Sequence, residues 1–381
     1  MNSISHTGGI ERVTVVKANA LAAIDGNEVY VIVTDHRHGV GPSVHLSPLV
    51  HLVDLDVDYY DEDWKSKLHI LKGVFVKRRV HKRRLAEVMK TIAPNVVISV
   101  GQAEKYMLPE IKGCSICIRE LHYRKDFRRH AVASRSVFDK IAAFLSDFYD
   151  YRCKIGNYDR IVTLTHEDRA LNWSERDRVS VIPNPLTFNG TSVSSLTDQK
   201  IVAFGRLTAQ KNFSSLIRAF RIVAERHPDW QLEIYGDGDE HSLLQTLITE
   251  QRLDKHVHLH GSTPHVQEKM LGASIFVLSS RFEGLPLVLL EAMSCGLPVV
   301  SYACPCGPSD IITDGEDGFL VPVGDERMLA EQICYLIEHP DRRAEMGAAA
   351  LKKSEQYRPE KIVPMWMDLF ERLLQEKQNK C

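Results

Sequence analysis

The stretch Ser279-Ser-Arg-Phe-Glu-Gly-Leu-Pro-Leu-Val-Leu-Leu-Glu291 decides the fold of the second half of this chain. It follows an apolar run, Ala273–Leu278, that is typical of a buried strand. Gly284 permits a tight turn, and Pro286 suits the first turn of a helix, where no backbone N–H is needed. The pattern predicts a strand, a loop and a helix ending near Cys295, the arrangement in which α/β folds place anionic ligands.

Two carboxylates lie in this stretch, Glu283 in the loop and Glu291 on the predicted helix. Beside a phosphate alone, two negative charges would be unfavourable. Carboxylates accept hydrogen bonds, so both side chains fit a ligand that also carries hydroxyl groups, such as those of a ribose and a sugar. The stretch therefore favours a ligand with anionic and hydroxyl groups together.

The length of 381 residues predicts two domains, because one compact core seldom holds so many. Strand and helix patterns alternate in both halves, which indicates α/β domains with parallel sheets. The Ser/Thr/Gly-rich segment 187–199 is typical of a linker. We therefore predict one domain at residues 1–186, a second at 200–358, and a helical tail at 359–381.

Charge is distributed unevenly along the chain. Residues 1–186 hold 28 Lys and Arg against 23 Asp and Glu, whereas the remainder holds 20 against 27. The excess of cations in the first half favours an acidic partner or a membrane surface for that half. No apolar run reaches the ~18 residues of a membrane span. Eight dispersed cysteines favour reduced thiols, as in a cytoplasmic protein, with contact at the inner face of the plasma membrane as an option.

A helix or helix pair is predicted at Lys65–Lys90, which carries ten basic residues and one acidic residue. Two interpretations stay open for it: a solvated charged face, or attraction to anionic lipid or a lipid pyrophosphate. Nucleic acid is the less favoured partner, because no aromatic residues alternate with the charges. The candidate membrane or acceptor contacts in this segment are Arg78, Arg79, Arg83 and Arg84.

Two patterns are similar to metal sites but depart from them. The acidic stretch Asp54–Asp63 lacks the glycine and glutamate that a calcium loop needs at Tyr59 and Lys65, so a polar loop after a strand is the favoured interpretation. Cys114-x-x-Cys117 resembles half of a zinc site, but cysteines on a strand are more often small apolar residues. We therefore predict no metal and no cofactor.

The chain opens with a Gly8-Gly9 loop and a helical pattern that continues to about Ala23. Such a loop normally follows a buried strand, yet only seven residues precede Gly8. We therefore expect the first strand of this domain to be shortened or absent, and a native start upstream of Met1 is one explanation.

Two cations follow the first predicted strand of the second domain, Lys200–Phe204. Arg206 and Lys211 flank the turn into the next helix, where an arginine fork and a lysine point charge suit a diphosphate. Solvated loop cations are the alternative, but the carboxyl end of a strand favours a ligand site. Gly236-Asp237-Gly238-Asp239 follows another strand and lacks the third glycine of a dinucleotide motif, so we interpret it as a turn near this site.

Taken in order, these motifs resemble the family-4 retaining glycosyltransferases, also described as glycosyl transferases group 1. The resemblance is carried by Gly205-Arg206 with Lys211-Asn212, by Glu283-x7-Glu291, and by Gly8-Gly9-x-Glu11-Arg12. It covers essentially the whole chain and implies the GT-B fold, in which two Rossmann-like, doubly wound parallel-sheet domains face each other across a cleft. The expected shortening of the first strand is the clear departure from the family's pattern, because the strand normally holds the Gly8-Gly9 loop.

The resemblance implies roles for the second domain. Arg206 and Lys211 would bind the donor diphosphate, and Glu291 would accept hydrogen bonds from the ribose. Glu283 would bind a hydroxyl group of the donor sugar, together with the backbone N–H groups of Gly284 and Leu285.

In the first domain, Gly9 would offer its backbone N–H to the distal phosphate, and His122 matches the family's histidine beside the donor sugar. The turn Ser262–Val266 is a candidate nucleobase contact. The implied catalytic residues are Glu283, His122, Arg206 and Lys211.

The resemblance also implies a reaction. A hexosyl or N-acetylhexosaminyl group would pass from a nucleotide sugar, expected to be UDP-linked, to a saccharide acceptor, expected to be lipid-linked, in bacterial surface-polysaccharide synthesis. The route would be a metal-independent front-face displacement with retention. Three alternatives stay open: a UDP-sugar 2-epimerase, a phosphorylase, for which no pyridoxal-lysine signature is found, and a catalytically silent sugar-nucleotide-binding protein.

Overall fold

The computed structural model describes residues 8–35, 45–57, 59, 67–101, 103–125, 127–131, 136–173, 177–188 and 192–379. The chain divides into two compact units. The first unit comprises Met1–Thr163, Asn172–Pro185 and Pro359–Cys381, and the second comprises Leu164–Leu171 and Leu186–Arg358. The expected short first strand at residues 1–7 and the acidic residues Asp58, Asp61 and Asp63 lie outside the described residues.

The α-helices are numbered in chain order. They are α1 (Gly9–Ala22), α2 (Lys67–Ile92), α3 (Leu108–Ile111), α4 (Phe127–Ala131), α5 (Val137–Phe148), α6 (His166–Trp173), α7 (Phe213–Arg226), α8 (His241–Glu250), α9 (Val266–Leu271), α10 (Leu287–Ser294), α11 (Pro308–Ile311), α12 (Glu326–Glu338), α13 (Pro340–Ser354) and α14 (Pro359–Gln378). A π-helical segment, Tyr149–Lys154, follows α5.

The strands are numbered in the same way. They are β1 (Val29–Val33), β2 (Val50–Asp54), β3 (Val96–Ser99), β4 (Ile116–Glu120), β5 (Arg160–Thr163), β6 (Val179–Val181), β7 (Lys200–Phe204), β8 (Gln231–Tyr235), β9 (Val257–His260), β10 (Ile275–Leu278), β11 (Val299–Tyr302) and β12 (Gly318–Val321).

The described strands of the first unit pair in parallel. β1 pairs with β2, and a four-stranded sheet has the order β3-β4-β5-β6. The predicted tail forms α14, which belongs to this unit. Its buried Trp366 and Leu369 join Ile118 of β4 and Val162 of β5 in one apolar cluster. The tail is therefore part of the core of the first unit.

The second unit contains a six-stranded parallel sheet with the order β12-β11-β10-β7-β8-β9. Successive residues of β7 enter two different apolar clusters, because side chains alternate across a strand. Ile201 and Ala203 pack with Phe220 of α7, whereas Val202 packs with Leu289 of α10. Helices thus cover both faces, as in a doubly wound fold.

In this sheet, β7 has the predicted bounds, and β10 covers the last four residues of the apolar run Ala273–Leu278. A strand before the acidic stretch was predicted without bounds and is β2, whereas β12 was not predicted. The helix of the opening stretch begins one residue later than expected: Pro286 is the extended N-cap residue, with φ −72° and ψ 92°, and Leu287 is the first helical residue. Gly296 follows the end of α10 with φ +73°, the left-handed conformation in which helices often end.

The predicted linker is tied to the second unit where it is described. The backbone N–H of Ser194 donates to the carbonyl of Cys295 at 2.8 Å. The Arg343 guanidinium donates to the carbonyl of Leu196 at 3.1 Å. These bonds fasten residues 194–196 to the ends of α10 and α13, so the segment is packed rather than free.

Glycines let the turns after β7 and β8 approach closely. Gly236 has φ +149°, and a Cβ atom there would lie 1.9 Å from the carbonyl oxygen of Gly205. A Cβ atom on Gly238 would lie 2.3 Å from the carbonyl oxygen of Leu207. Two hydrogen bonds join the turns, from Gly205 N–H to Tyr235 and from Leu207 N–H to Asp237. The Gly236-Asp237-Gly238 turn therefore supports the loop that carries Arg206.

We predict that Gly236→Ala destabilises the second unit by about 3 kcal/mol, because the added methyl group has no space and the backbone must shift. Gly324→Ala is the matched control: Gly324 has φ +86° but nothing within 4 Å of its Cβ position. It should cost only the left-handed strain, roughly 1 kcal/mol. Thermal unfolding measures both, and equal losses would contradict the close approach.

Candidate functional site

The two loops that carry the predicted donor residues of the second unit leave the same edge of its sheet. β7 and β10 are parallel neighbours, with Ile201 opposite Ile275 and Val202 opposite Phe276. Because parallel strands end at the same edge, the loop after β7 and the loop after β10 emerge side by side. This pairing brings together segments that lie about seventy residues apart in the sequence.

An ion pair joins the two loops. The Nζ of Lys211 lies 2.7 Å from Oε1 of Glu283, and the two side chains are 16% and 8% exposed. Gly205 lies against the lysine stem: a Cβ atom at this position would be 3.0 Å from Cε of Lys211. The pair is thus largely shielded from water, and its geometry is fixed by close packing.

Further hydrogen bonds clamp the loops together. The Gln210 carbonyl accepts from the N–H of Arg281 at 2.8 Å, and its side-chain amide donates to the carbonyl of Phe282 at 3.0 Å. The Ser279 hydroxyl donates to the carbonyl of Lys211 at 2.8 Å. Neither the Gln210 contacts nor the Ser279 contact was predicted from the sequence. Gln210 precedes Lys211, and Ser279 begins the stretch Ser279–Glu291. This closeness to the motifs is the sequence signal that could have indicated these contacts.

Arg206 is exposed at the same sheet edge. Within the described part of the chain its guanidinium has no hydrogen-bond or ion-pair partner. The backbone N–H groups of Gly284 and Leu285 likewise donate to no described residue, whereas the N–H of Glu283 donates to the carbonyl of Pro305 at 3.2 Å. The two loops that the Lys211–Glu283 pair joins therefore offer a cation after β7 and two amide donors after β10.

Glu291 lies on α10 and is 3% exposed. The hydroxyl of Thr187 donates a hydrogen bond to Oε1 of Glu291. Thr187 was assigned to the linker, so this partner was missed, because no sequence pattern indicates a contact across a hundred residues. Glu291 is therefore oriented from the start of the predicted linker.

A second anchor holds the loop before α11. The Glu167 carboxylate accepts from the N–H of Cys306 at 2.8 Å, and the N–H of Glu167 donates to the Asp310 carboxylate at 3.0 Å. Gly307 has φ +118°, and a Cβ atom there would lie 2.4 Å from Cδ of Pro286. These contacts fix the chain at the start of α10, and the sequence analysis did not predict them.

Aromatic rings line the carboxyl ends of three adjacent strands. Tyr235 stacks on Phe204 and on His260, with ring centroids 4.8 and 4.6 Å apart. Beside this stack, the N–H of Ser262 donates to the Asp237 carboxylate at 2.9 Å. Hydrogen bonds from Ser262 hold the pKa of Asp237 below its usual value. The predicted nucleobase turn therefore begins next to an aromatic stack.

Gly9 and His122 belong to the first unit. Gly9 is the first residue of α1 and is exposed. His122 is buried, and neither ring nitrogen has a hydrogen-bond partner among the described residues. Burial lowers the pKa of His122 to about 4, although the Glu120 carboxylate, 3.7 Å away, favours the charged form. The imidazole is therefore neutral at pH 7.

A buried lysine compensates Glu120. Lys17 of α1 donates to the Glu120 carboxylate, and its Nζ lies 4.4 Å from the ring centroid of Trp366. Burial would raise the pKa of Glu120, but the Lys17 ammonium offsets this effect and holds the pKa below its usual value. Lys17 was missed in the sequence, although a lysine between Val16 and Ala18 was a visible signal.

The four arginines of the basic segment lie on α2, so the helix or helix pair predicted at Lys65–Lys90 forms one helix, Lys67–Ile92. Arg78, Arg79 and Arg83 are exposed, and Arg79 lies over the Phe75 ring at 4.5 Å. Arg84 differs, because its guanidinium donates to the Leu55 carbonyl at 2.7 Å. Three of the four arginines are therefore presented to solvent, and the fourth holds the end of β2 in place.

In the described ranges, no group of three or more His, Cys, Asp or Glu side chains is arranged to hold a metal ion. None of the helices in those ranges is both long and apolar enough to cross a bilayer.

The family model described as glycosyl transferases group 1 matches residues 190–353. The match spans the loops of Arg206, Lys211, Glu283 and Glu291. The second unit therefore carries the family's sequence pattern where the geometry places the candidate site, and the match supports membership in the family to which the motifs are similar.

Two curated proteins are similar to this chain over parts of their length. An exopolysaccharide phosphotransferase of Streptomyces coelicolor is 30% identical over 336 residues, which cover 86% of this chain and 33% of that protein. The amylovoran biosynthesis glycosyltransferase AmsD of Erwinia amylovora is 30% identical over 224 residues, covering 56% of this chain and 63% of AmsD. This chain thus spans less than two thirds of the length of these relatives.

A solved structure of Anabaena HepE in complex with UDP and glucose is similar over almost the whole chain. The TM-score is 0.70 at 16% identity, and the match covers 97% of this chain and 98% of HepE. At this identity the likeness concerns the fold. With the parallel sheets of the two units, it confirms the predicted α/β fold of the GT-B class.

We predict strong coupling between Lys211 and Glu283. Lys211→Met and Glu283→Gln should each destabilise the second unit by about 3 kcal/mol, because each leaves a largely buried charge or dipole without its partner. The double variant should cost clearly less than the sum of the two. Calorimetric unfolding measures this cycle.

The exposed pair Arg221–Glu225, 3.0 Å apart with side chains 54% and 63% exposed, is the matched control. Its coupling should stay below about 1 kcal/mol. Additive effects at Lys211 and Glu283 would contradict a shielded pair.

Proposed function

We propose that this protein is a retaining glycosyltransferase that moves a hexosyl or N-acetylhexosaminyl group from a UDP-sugar to a saccharide acceptor. The observation that carries the proposal is the joined loop pair at one sheet edge of the second unit. There, Lys211 pairs with the carboxylate of Glu283, the loop after β7 also carries the exposed Arg206, and Glu291 lies on α10, the helix that follows the loop after β10. Cations suit a diphosphate, and carboxylates suit sugar hydroxyl groups.

Arg206 and Lys211 would stabilise the leaving diphosphate of the donor. Negative charge grows on it as the bond to the anomeric carbon breaks. The Arg206 guanidinium can donate two parallel hydrogen bonds to the diphosphate, because it pairs with no described residue. Lys211 adds a positive charge at a fixed position. The amide donors of Gly284 and Leu285 at the start of α10 favour the same anion. These groups act without a metal ion.

Glu283 positions the donor sugar and is not the nucleophile. Its carboxylate is held by Lys211 at 2.7 Å, which lowers its nucleophilicity. In a front-face displacement, the acceptor hydroxyl attacks the anomeric carbon while the bond to the diphosphate breaks. The leaving phosphate oxygen takes that electron pair and then the acceptor's proton, and the new bond forms on the face that the diphosphate leaves. Configuration at the anomeric carbon is retained.

The neutral imidazole of His122 suits the positive charge that develops on the sugar ring. With a pKa of about 4, His122 adds no positive charge of its own at pH 7. Its ring can donate or accept a hydrogen bond at a sugar hydroxyl. Gly9, at the N-terminal end of α1, offers a backbone N–H for the distal phosphate.

UDP is proposed as the nucleotide because HepE, which this chain is similar to in fold, was solved with UDP and glucose. A surface-polysaccharide acceptor is proposed because AmsD belongs to amylovoran biosynthesis. We propose that the acceptor is lipid-linked and that the enzyme acts at the inner face of the plasma membrane. The exposed Arg78, Arg79 and Arg83 of α2 would attract anionic lipid there.

The experiment follows UDP binding and transfer in parallel. We predict that Arg206→Gln and Lys211→Gln each weaken UDP binding about tenfold, the effect of losing one charge-assisted hydrogen bond. Lys255→Gln is the matched control, because Lys255 is exposed and precedes β9, at the opposite edge of the sheet. Calorimetric titration with UDP measures binding, and UDP release with an added acceptor measures transfer.

Acceptor-dependent UDP release with a retained anomeric product is the expected result. Conversion of the UDP-sugar to an isomer without release would establish the 2-epimerase alternative. UDP binding without any reaction across a panel of donors and acceptors would establish a silent binding protein. A covalent sugar adduct on Glu283 would overturn the front-face route.

A further inference from the structure

Helix α5 of the first unit presents an apolar face to solvent. The large apolar side chains on this face and at its carboxyl end are 47% to 85% exposed, and Phe138 is the most exposed of them. Single exposed apolar residues are ordinary, but a contiguous set on one helix marks an interaction surface. The α5 face consists of Val137, Phe138, Ile141, Phe144, Leu145, Phe148 and Tyr149.

The face is continuous because its members recur with helical spacing. At about 100° per residue they occupy an arc of roughly 140°. The buried residues of the helix, Ala143 and Asp147, lie on the opposite side and attach α5 to its unit. One side of α5 therefore packs against the first unit, and the apolar side is exposed and able to bind another molecule.

A cationic pocket lies directly beside the α5 face. It has a volume of about 70 Å³ and is lined by six cations and one carboxylate, Asp150. Two neighbouring carboxylates, Asp147 and Glu104, pair with lining arginines at 3.2 and 3.9 Å, so among the residues that the structure describes six positive charges meet three negative charges. The pocket is therefore net positive. Its cations are Lys105, Arg119, Arg124, Lys125, Arg128 and Lys154.

The two features share structural elements. The π-helical segment Tyr149–Lys154 continues α5 and lines the pocket, and α4 supplies Arg128 to the pocket. At the boundary, the guanidinium of Arg129 lies 5.1 Å from the Phe144 ring centroid, and Nζ of Lys154 lies 5.7 Å from that of Tyr149. Cations therefore border the apolar face on the side of the pocket.

We propose that the α5 face and the cationic pocket together bind a phosphate-bearing lipid, with its phosphate in the pocket and its apolar chains along the α5 face. An amphiphile of this kind joins an anionic group directly to apolar chains, which is the arrangement that the surface complements. The inference rests on the proposed function, because it identifies the lipid-phosphate part of the acceptor. It also places the main lipid contact on α5 and not on α2.

Charge complementarity favours a lipid over a second copy of this chain. A second α5 face would bring another set of cations against the first, and like charges repel. Arginines of α2 would contribute only long-range attraction, which salt screens, whereas apolar burial along α5 is insensitive to screening. Binding measured at low and at high salt therefore distinguishes the attraction by the α2 arginines from the apolar burial along α5.

Vesicle flotation of the full chain tests the proposal, with phosphatidylcholine vesicles that contain or lack phosphatidic acid. Phe138→Ser/Ile141→Ser/Leu145→Ser should lower binding to the acidic vesicles at least about tenfold at low and at high salt. The matched control, Leu243→Ser/Val323→Ser/Met328→Ser, removes three exposed apolar side chains of the second unit and should bind as the unaltered chain does.

Two charge variants complete the design. Lys154→Gln should weaken binding to phosphatidic acid vesicles and leave the weak binding to phosphatidylcholine unchanged, with the exposed Lys352→Gln as its control. The exposed α2 arginines, replaced as Arg78→Gln/Arg79→Gln/Arg83→Gln, should weaken binding at low salt only. Circular dichroism of each variant confirms that it is folded.

Unchanged flotation of the folded α5 variant would overturn the proposal. So would a dimer in lipid-free buffer that the α5 variant alone converts to a monomer, because a second copy would then occupy the face. UDP titration of the same samples separates the two hypotheses. If the chain binds UDP but does not float with the vesicles, only the proposed lipid-binding surface is contradicted. If the chain floats with the vesicles but does not bind UDP, the proposed function is contradicted.

Discussion

The parallel pairing of β7 with β10 is the constraint on which the candidate site depends. It places the loops of Lys211 and Glu283 at one sheet edge, where their side chains form a shielded ion pair. Hydrogen bonds through Gln210 and Ser279 then lock the loops together. Because these contacts are within one compact unit, the arrangement of cations and carboxylates is built into the fold of that unit.

Two carboxylates beside an anion site would be unfavourable without compensation. Lys211 compensates Glu283, and Thr187 donates to Glu291, so neither acid is left as an uncompensated buried charge. Arg206 adds a cation that is exposed at the same edge. The same logic holds in the first unit, where Lys17 compensates Glu120 and His122 is neutral. Each of these three acids thus has a compensating partner within its own unit.

Local sequence signals predicted much of this arrangement. β7 was predicted with its observed bounds and β10 within the apolar run Ala273–Leu278, because buried parallel strands are short apolar runs bounded by turn residues. The loop motifs identified Lys211 and Glu283 without showing that they touch. The family model described as glycosyl transferases group 1 matches residues 190–353 and supports the predicted family, and the GT-B class of the fold is confirmed. The roles of individual residues and the domain boundaries stay predictions.

What the sequence did not show depends on contacts between distant segments. Pro286 precedes α10 and does not begin it, and Gly307 packs against its ring. Thr187 was interpreted as linker, yet it contacts a residue more than a hundred positions away. β12 was missed because it is short and begins with Gly318, a residue type that is weak in strands. The apolar side of α5 was missed because amphipathic spacing alone does not distinguish a core face from an exposed face.

A crystal structure of the full chain with UDP tests the central claim most directly. The account predicts the diphosphate within hydrogen-bond distance of the Arg206 guanidinium and the Lys211 ammonium. It also predicts a ribose hydroxyl on the Glu291 carboxylate, with Glu283 facing the position of the sugar. UDP bound away from the loops after β7 and β10, or a ribose that avoids Glu291, would contradict the account.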